Sequence, residues 1–135
     1  MTTPYSAIKA YLQSNWTTTP LRFPNEPLDP LPDAFVDVEI TGTLYSQMSI
    51  GASTQAGNRW DEEGILWLHA LVAVNTGSET VLEYARSLAN LFRGLRLIND
   101  SLEFREAFIG KGQPGHEDGN YYRVSVYINW RQMEV

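Results

Sequence analysis

Hydrophobic and polar residues recur along this chain with two different periods, one typical of helices and one of strands. Near the start, Tyr5, Ile8 and Leu12 recur at helical spacing. Thr3 precedes them as a candidate cap, and Pro4 suits the first helical position, where its missing N–H group costs nothing. The pattern therefore predicts a short N-terminal helix.

A second and stronger helical pattern follows the turn at residues 75–77. Ser78 or Thr80 begins this predicted helix, Thr80-x-x-Glu83 matches a capping box, and Gly94 fits its end. The predicted buried stripe consists of Val81, Ala85, Leu88, Phe92 and Leu95.

Four segments have the pattern of long strands. Residues 34–48 alternate between apolar and polar side chains, which predicts a half-buried strand. Residues 64–74 are almost continuously apolar, so both faces of that strand need cover. Residues 102–109 and 121–130 complete the set.

The remaining segments are predicted to be irregular. Five prolines between residues 17 and 33 predict an extended arm on the surface, in which residues 21–23 form a short edge strand. Residues 49–63 and 110–119 are polar and glycine-rich, which predicts long loops, with a start of the next strand at Arg59 and Trp60 as an alternative for the end of the first. The whole chain, 1–135, is thus predicted to be one α+β domain. Its mostly antiparallel sheet has about four main strands packed by two helices in a single-layer sandwich.

Composition narrows the classes of function. The net charge is −6 and the pI is about 4.8, which disfavours direct nucleic-acid binding. The absence of cysteine excludes disulfides, thiolate metal sites and a cysteine nucleophile. No signal peptide and no apolar run of about 18 residues is visible, so we expect no membrane span and a cytoplasmic location.

Residues able to carry chemistry are sparse. His69 lies among apolar neighbours with no second ligand at i±2 or i±4, which favours a hydrogen-bonded histidine over a general base or metal ligand. Residues 116–118, His-Glu-Asp, favour a solvated loop over a metal site. Residues 61–63, Asp-Glu-Glu, favour a solubilising or edge-protecting role, with contact to arginines of a neighbouring subunit as an alternative. We therefore predict no enzyme activity, no catalytic or metal-binding residues and no cofactor.

Four segments in the middle of the chain carry a family resemblance. They are Arg59-Trp60-Asp61-Glu62-Glu63-Gly64 before the apolar strand, Asn75-Thr76-Gly77, Leu91-Phe92-Arg93-Gly94 at the end of the second helix, and Gly119-Asn120-Tyr121-Tyr122-Arg123-Val124 at the start of the last strand. In order and spacing they resemble the tail terminator-like proteins of siphophages, prophages and gene transfer agents. The resemblance covers roughly residues 34–131 and extends to the N-terminal helix.

The resemblance implies a structural protein of a virion tail, present in the host cytoplasm during assembly. Members of that family form hexameric rings on the last ring of the tail tube, stop tube polymerisation and present a surface to head-completion proteins. The implied partners are copies of the chain itself, the tail tube protein and a head-completion protein. A monomer in dilute solution is compatible with this picture, because some ring proteins assemble only on their target.

Position and polarity select the candidate subunit or tail-tube interface residues. Three lie near the first long loop and three on the outward face of the sheet: Arg59, Trp60 and Glu62, and Asp37, Glu39 and Arg123. Asp37 and Glu39 are acidic and Arg123 is basic, so ion pairing across adjacent strands between residues 34–48 and 121–130 is one option. Two alternative functions stay open. One is a head–tail connector or tail completion protein of similar fold, and the other is a small-ligand binding module or enzyme, which requires a pocket with converging polar groups.

Overall fold

The computed structural model describes most of the chain in several stretches. These are residues 3–26, 28, 32–47, 60–74, 77–98, 100–110, 113–114 and 121–133; for residues 42–47, 60 and 113–114 only the backbone is described. Several predicted features lie outside the described residues, namely the loop at 49–58, the His-Glu-Asp segment at 116–118 and Arg59.

Two helices and seven strands make up the described fold. In chain order they are α1 (Pro4–Asn15), β1 (Leu21–Arg22), β2 (Ala34–Gln47), β3 (Trp60–Ala73), α2 (Glu79–Phe92), β4 (Arg96–Leu97), β5 (Leu102–Ile109), β6 (Gln113–Pro114) and β7 (Tyr121–Met133). Six strands follow one another across the sheet in the order β1-β2-β3-β7-β5-β4, and β6 pairs separately with β7.

The predicted architecture is wrong, although the chain is α+β. The sheet is mixed, because β1 pairs parallel to β2 while the other pairs are antiparallel. Six strands curl into a half-barrel instead of about four forming a single-layer sandwich. The additional strands are two residues long, which is too short to show any periodicity in sequence.

The helix ends agree only in part with the prediction. Thr3 caps α1 in a capping box with Ser6, as its position before Pro4 suggests. The predicted capping box at Thr80 is wrong, because α2 begins at Glu79 behind Ser78, which makes no side-chain cap hydrogen bond. Gly94 follows α2 with a φ of 72°, the left-handed conformation that ends many helices.

The core lies between the two helices and one face of the sheet. Leu66 and Leu68 on β3 and Val126 and Ile128 on β7 point towards the helices and are buried. Phe92 of α2 joins the layers through edge contacts with Tyr11 and Phe104, at ring-centroid distances of 5.3 and 5.1 Å. Neither helix is long and apolar enough to cross a membrane.

Candidate interface on the open sheet face

The side of the sheet opposite the helices is the open sheet face, on which Glu39, Trp67, His69, Arg123 and Tyr127 lie. Strand alternation places them there, because their neighbours in sequence point into the core. No helix in the described part of the chain packs against this side. One end of this face is covered within the chain, because Phe35 and Leu71 are only 1% and 3% exposed and Arg22 and Tyr121 lie against Phe35.

The acidic residues of β2 differ in their surroundings. Asp37 pairs with Arg22, whose Nε lies 2.9 Å from its carboxylate, and the same guanidinium lies over the ring of Phe35. Glu39 is instead 56% exposed and lies 3.9 Å from Nε2 of His69. Asp37 is therefore neutralised within the chain, whereas the charge of Glu39 is accessible.

His69 is half-buried and hydrogen-bonded, as its sequence setting predicts. Its Nδ1 lies 2.7 Å from Oγ of Ser125 on β7, and its ring stacks on Trp67 at 5.9 Å. Burial lowers the pKa of His69, and the nearby Arg123 lowers it further, against the opposing effect of Asp37 and Glu39. The imidazole is accordingly neutral at pH 7, which suits a positioned hydrogen-bonding group.

Three aromatic side chains cross the open sheet face from β3 to β5. Trp67 and Tyr127 are tilted against each other at 5.0 Å, and Tyr127 stacks on Phe108 at 4.8 Å. Phe108, at the outer end, is 42% exposed. This aromatic row of Trp67, Tyr127 and Phe108 offers the large, rigid apolar surface that is enriched at protein interfaces.

Charged residues gather at the other end of the same face. Asp61 is fully buried and forms an ion pair with Arg131, with Nε of the arginine 2.9 Å from the carboxylate. Glu103 pairs with Arg96 at 3.4 Å and with Arg105 at 3.3 Å. The expectation that Asp61 is a solubilising residue is wrong, because the sheet encloses it opposite a cation from β7.

The structure brings together only some of the predicted interface residues. Asp37, Glu39 and Arg123 share the open sheet face, but β3 separates the first two from Arg123, so direct pairing between β2 and β7 does not occur. Alternation directs Glu62 to the opposite side from Asp61. Trp60 begins β3 opposite Gln47, and only its backbone is described.

The aromatic row and the Asp61–Arg131 pair are features that sequence reasoning missed as a site. Trp67 and Tyr127 are adjacent only through the pairing of β3 with β7, and Phe108 only through that of β5 with β7. Alternation along residues 121–130 puts Tyr127 on the polar side of that strand, but the almost continuously apolar segment 64–74 gives no such assignment for Trp67.

One shallow cavity opens on the charged end. It has a volume of about 380 Å³ and is lined by Glu63, Ile65, Arg105, Asn129 and Arg131 among others. Among the residues that the structure describes, no group of three histidine or acidic side chains is arranged to hold a metal ion.

The chain matches no protein-family model and no curated protein. Five solved chains are similar to it in structure. One of them superimposes with a TM-score of 0.68 over 97% of this chain and 93% of its own length, at 15% sequence identity. The name of that protein describes no function, so the similarity establishes the fold alone.

Proposed function

We propose that this chain is a structural subunit of a phage-type tail, a terminator that caps the tail tube as a hexameric ring. In that role it stops tube polymerisation and provides the surface to which the head is joined. The proposal includes no catalytic step. Its partners are further copies of the chain, the tail tube protein and a head-completion protein.

The observation that carries the proposal is the open sheet face. The aromatic row runs across it from Trp67, which lies next to the exposed carboxylate of Glu39, to the exposed ring of Phe108. Aromatic side chains are enriched at protein interfaces, so the exposed ring of Phe108 at the end of this row favours assembly. A ring subunit needs surfaces of this kind for its neighbours and for the tube.

Two of the segments that resemble tail terminators lie on strands that form this face, and a third lies on the helix side of the sheet. Residues 60–64 begin β3, residues 91–94 end α2, and residues 121–124 begin β7. The first and last of these segments lie on neighbouring strands in the centre of the sheet. Because β3 and β7 are antiparallel, these two segments lie at opposite ends of the strands, so the resemblance involves the central strands of the open sheet face as a whole.

The position of the protein in purified tails tests the proposal. Tails carrying an epitope-tagged copy are labelled with gold-conjugated antibody and viewed by negative-stain electron microscopy. We expect label at the head-proximal end only, and quantitative mass spectrometry should give a copy number that corresponds to a single ring. Label along the whole tube, or no label on tails, contradicts the proposal.

A small-ligand binding module is the second candidate, and the cavity beside Arg131 is the observation in its favour. The cavity collects Glu63, Arg105 and Arg131, although Arg105 is already paired with Glu103 and Arg131 with Asp61. A thermal-shift screen of small anions and zwitterions tests this function. A ligand whose stabilising effect is lost in Asn129→Leu supports it, and the lack of any such ligand removes it.

A further inference from the structure

We propose that copies of this chain join edge to edge, with residues 38–41 of β2 in one copy pairing antiparallel with residues 107–109 of β5 in the next. The inference rests on the proposed ring and names the surface through which its subunits meet. The occupant of each edge is a second copy of the same chain.

Both edges are unpaired over these residues in the described part of the chain. On β2, the short strand β1 covers only Val36 and Asp37. The outer edge of β5 is hydrogen-bonded only from Leu102 to Phe104, where its partners are β4 and the two residues Gly94 and Leu95 before β4. Residues 38–41, Val-Glu-Ile-Thr, and 107–109, Ala-Phe-Ile, contain none of the lysines or prolines that commonly protect free edges.

The direction of the strands suits repetition in one orientation. The steps from β2 to β3, from β3 to β7 and from β7 to β5 are all antiparallel. Because there are three such steps, β5 runs opposite to β2. A copy placed beside another in the same orientation therefore brings β5 antiparallel to β2, which is a head-to-tail contact that can close into a ring.

The hydrogen-bonding groups of the two edges are in phase. The N–H of Val36 donates outward to Pro20, so alternation directs the backbone groups of Val38 and Ile40 outward as well. The N–H of Gly110 donates inward to Ser125, so those of Ala107 and Ile109 point outward.

These outward-pointing residues also lie at the same level of the sheet. The register of the sheet pairs Val38 with Leu68, Leu68 with Val126 and Val126 with Ile109, so Val38 and Ile109 lie at the same level. In the same way, Ile40 pairs with Leu66, Leu66 with Ile128 and Ile128 with Ala107, so Ile40 and Ala107 lie at the same level. Two copies set side by side thus present matching donors and acceptors without any shift along the strands.

The side chains at this junction complement each other. Four large hydrophobic residues of the described chain are markedly exposed, and two of them, Phe108 and Ile109, are adjacent on β5 at 42% and 41%. Val38 and Ile40 of the next copy would extend the cover over Ile109, while Glu39 would lie beside Phe108. Arg93, Arg105 and Glu106 line a shallow groove along β5, and Arg105 is already paired with Glu103, so the junction rests mainly on its apolar contacts and on the matching backbone groups.

Disulfide crosslinking tests the pairing directly, because the chain has no native cysteine. Glu39 and Phe108 would form a non-hydrogen-bonded pair between copies, with Cα atoms about 4.5 Å apart, which is within reach of a disulfide. Within one copy three strand spacings, about 14 Å along the sheet, separate them, so they cannot join. We expect the double variant E39C/F108C to lose its monomer band on oxidation and to give a ladder of covalent oligomers.

Two controls fix the geometry of the contact. A mixture of the single variants E39C and F108C should give dimers only, and each single variant alone should give none. T41C/F108C, whose first cysteine lies on the same face of β2 two residues further along, should crosslink markedly less because its diagonal distance is about 7–8 Å. Dimers from E39C alone, or equal yields from T41C/F108C and E39C/F108C, overturn the proposal.

A second measurement does not depend on cysteine. Ile109→Lys places a charge at the edge, and Leu82→Lys places one on α2 at a side chain of similar exposure, 44% against 41%. Sedimentation velocity across a concentration series should show that the wild type and L82K associate while I109K remains monomeric. Equal association of I109K and L82K, or a wild type that stays monomeric at all concentrations, overturns the proposal.

The outcome separates this inference from the proposed function. Crosslinked E39C/F108C ladders together with label along the whole tube would retain the edge pairing and remove the terminator. Label confined to the tail end without any E39C/F108C crosslink would retain the terminator and remove the edge pairing.

Discussion

Replacement of Arg131 by methionine should destabilise the protein strongly, because Arg131 supplies a positive charge to a fully buried carboxylate. Asp61 has no exposed surface, and the side chain of Arg131 is 23% exposed. Removing one partner of a buried ion pair costs roughly 3–5 kcal/mol. Since Arg131 reaches water, we expect the lower end of this range, about 3 kcal/mol. For a domain of this size that corresponds to a fall in Tm of about 10 °C.

Urea denaturation followed by tryptophan fluorescence measures the free energy of unfolding. Arg105→Met is the matched control, because Arg105 also pairs with a carboxylate but is 53% exposed, and its loss should cost at most about 1 kcal/mol. The double variant D61N/R131M should be more stable than R131M, because the buried charge is removed together with its partner. The reasoning is refuted if R131M loses no more stability than R105M.

Three further predictions concern the core, a histidine and a helix end. Phe92→Ala should cost about 3–5 kcal/mol in urea denaturation, whereas Leu82→Ala, on the exposed side of α2, should cost less than about 1 kcal/mol; similar losses would contradict the described packing. Burial lowers the pKa of His69 in the folded state, so the unfolded chain binds the proton first as the pH falls through about 6.5. Stability should therefore decline between pH 7.5 and 5.5 in the wild type and decline less in His69→Gln, and parallel curves would refute this effect. Gly94→Ala should lower stability by about 1–2 kcal/mol because of the positive φ, and Gly94→Asn by less; equal thermal melts for all three proteins would exclude that strain.

The long elements of this fold could be predicted because their patterns are local. Residues 34–48 alternate over a length that only a strand explains, and β2 spans Ala34–Gln47. The stripe from Val81 to Leu95 and the stop at Gly94 likewise indicate α2, which spans Glu79–Phe92 and so leaves Leu95 outside the helix. The short edge strand predicted at residues 21–23 is confirmed as β1, Leu21–Arg22. Its parallel pairing with β2, the strands β4 and β6 and the curl of the sheet could not be predicted, because they arise from contacts between distant segments, such as Leu21 beside Val36.

The candidate site was only partly predictable for the same reason. Alternation placed Asp37, Glu39 and Arg123 on one face, which requires knowledge of a single strand at a time. Alternation could not show that Arg22 neutralises Asp37, or that Asp61 is buried and forms an ion pair with Arg131. Both facts depend on which strands are neighbours.

The terminator function is tested most directly by tail length in a tail-producing strain from which this gene has been deleted. Negative-stain electron microscopy gives the length distribution and the fraction of tails attached to heads, with the deletion complemented by the wild-type gene as the control. We predict overlong tails or tails without heads in the deletion strain, and wild-type tails after complementation. Tails of normal length attached to heads in the deletion strain would contradict the proposed function.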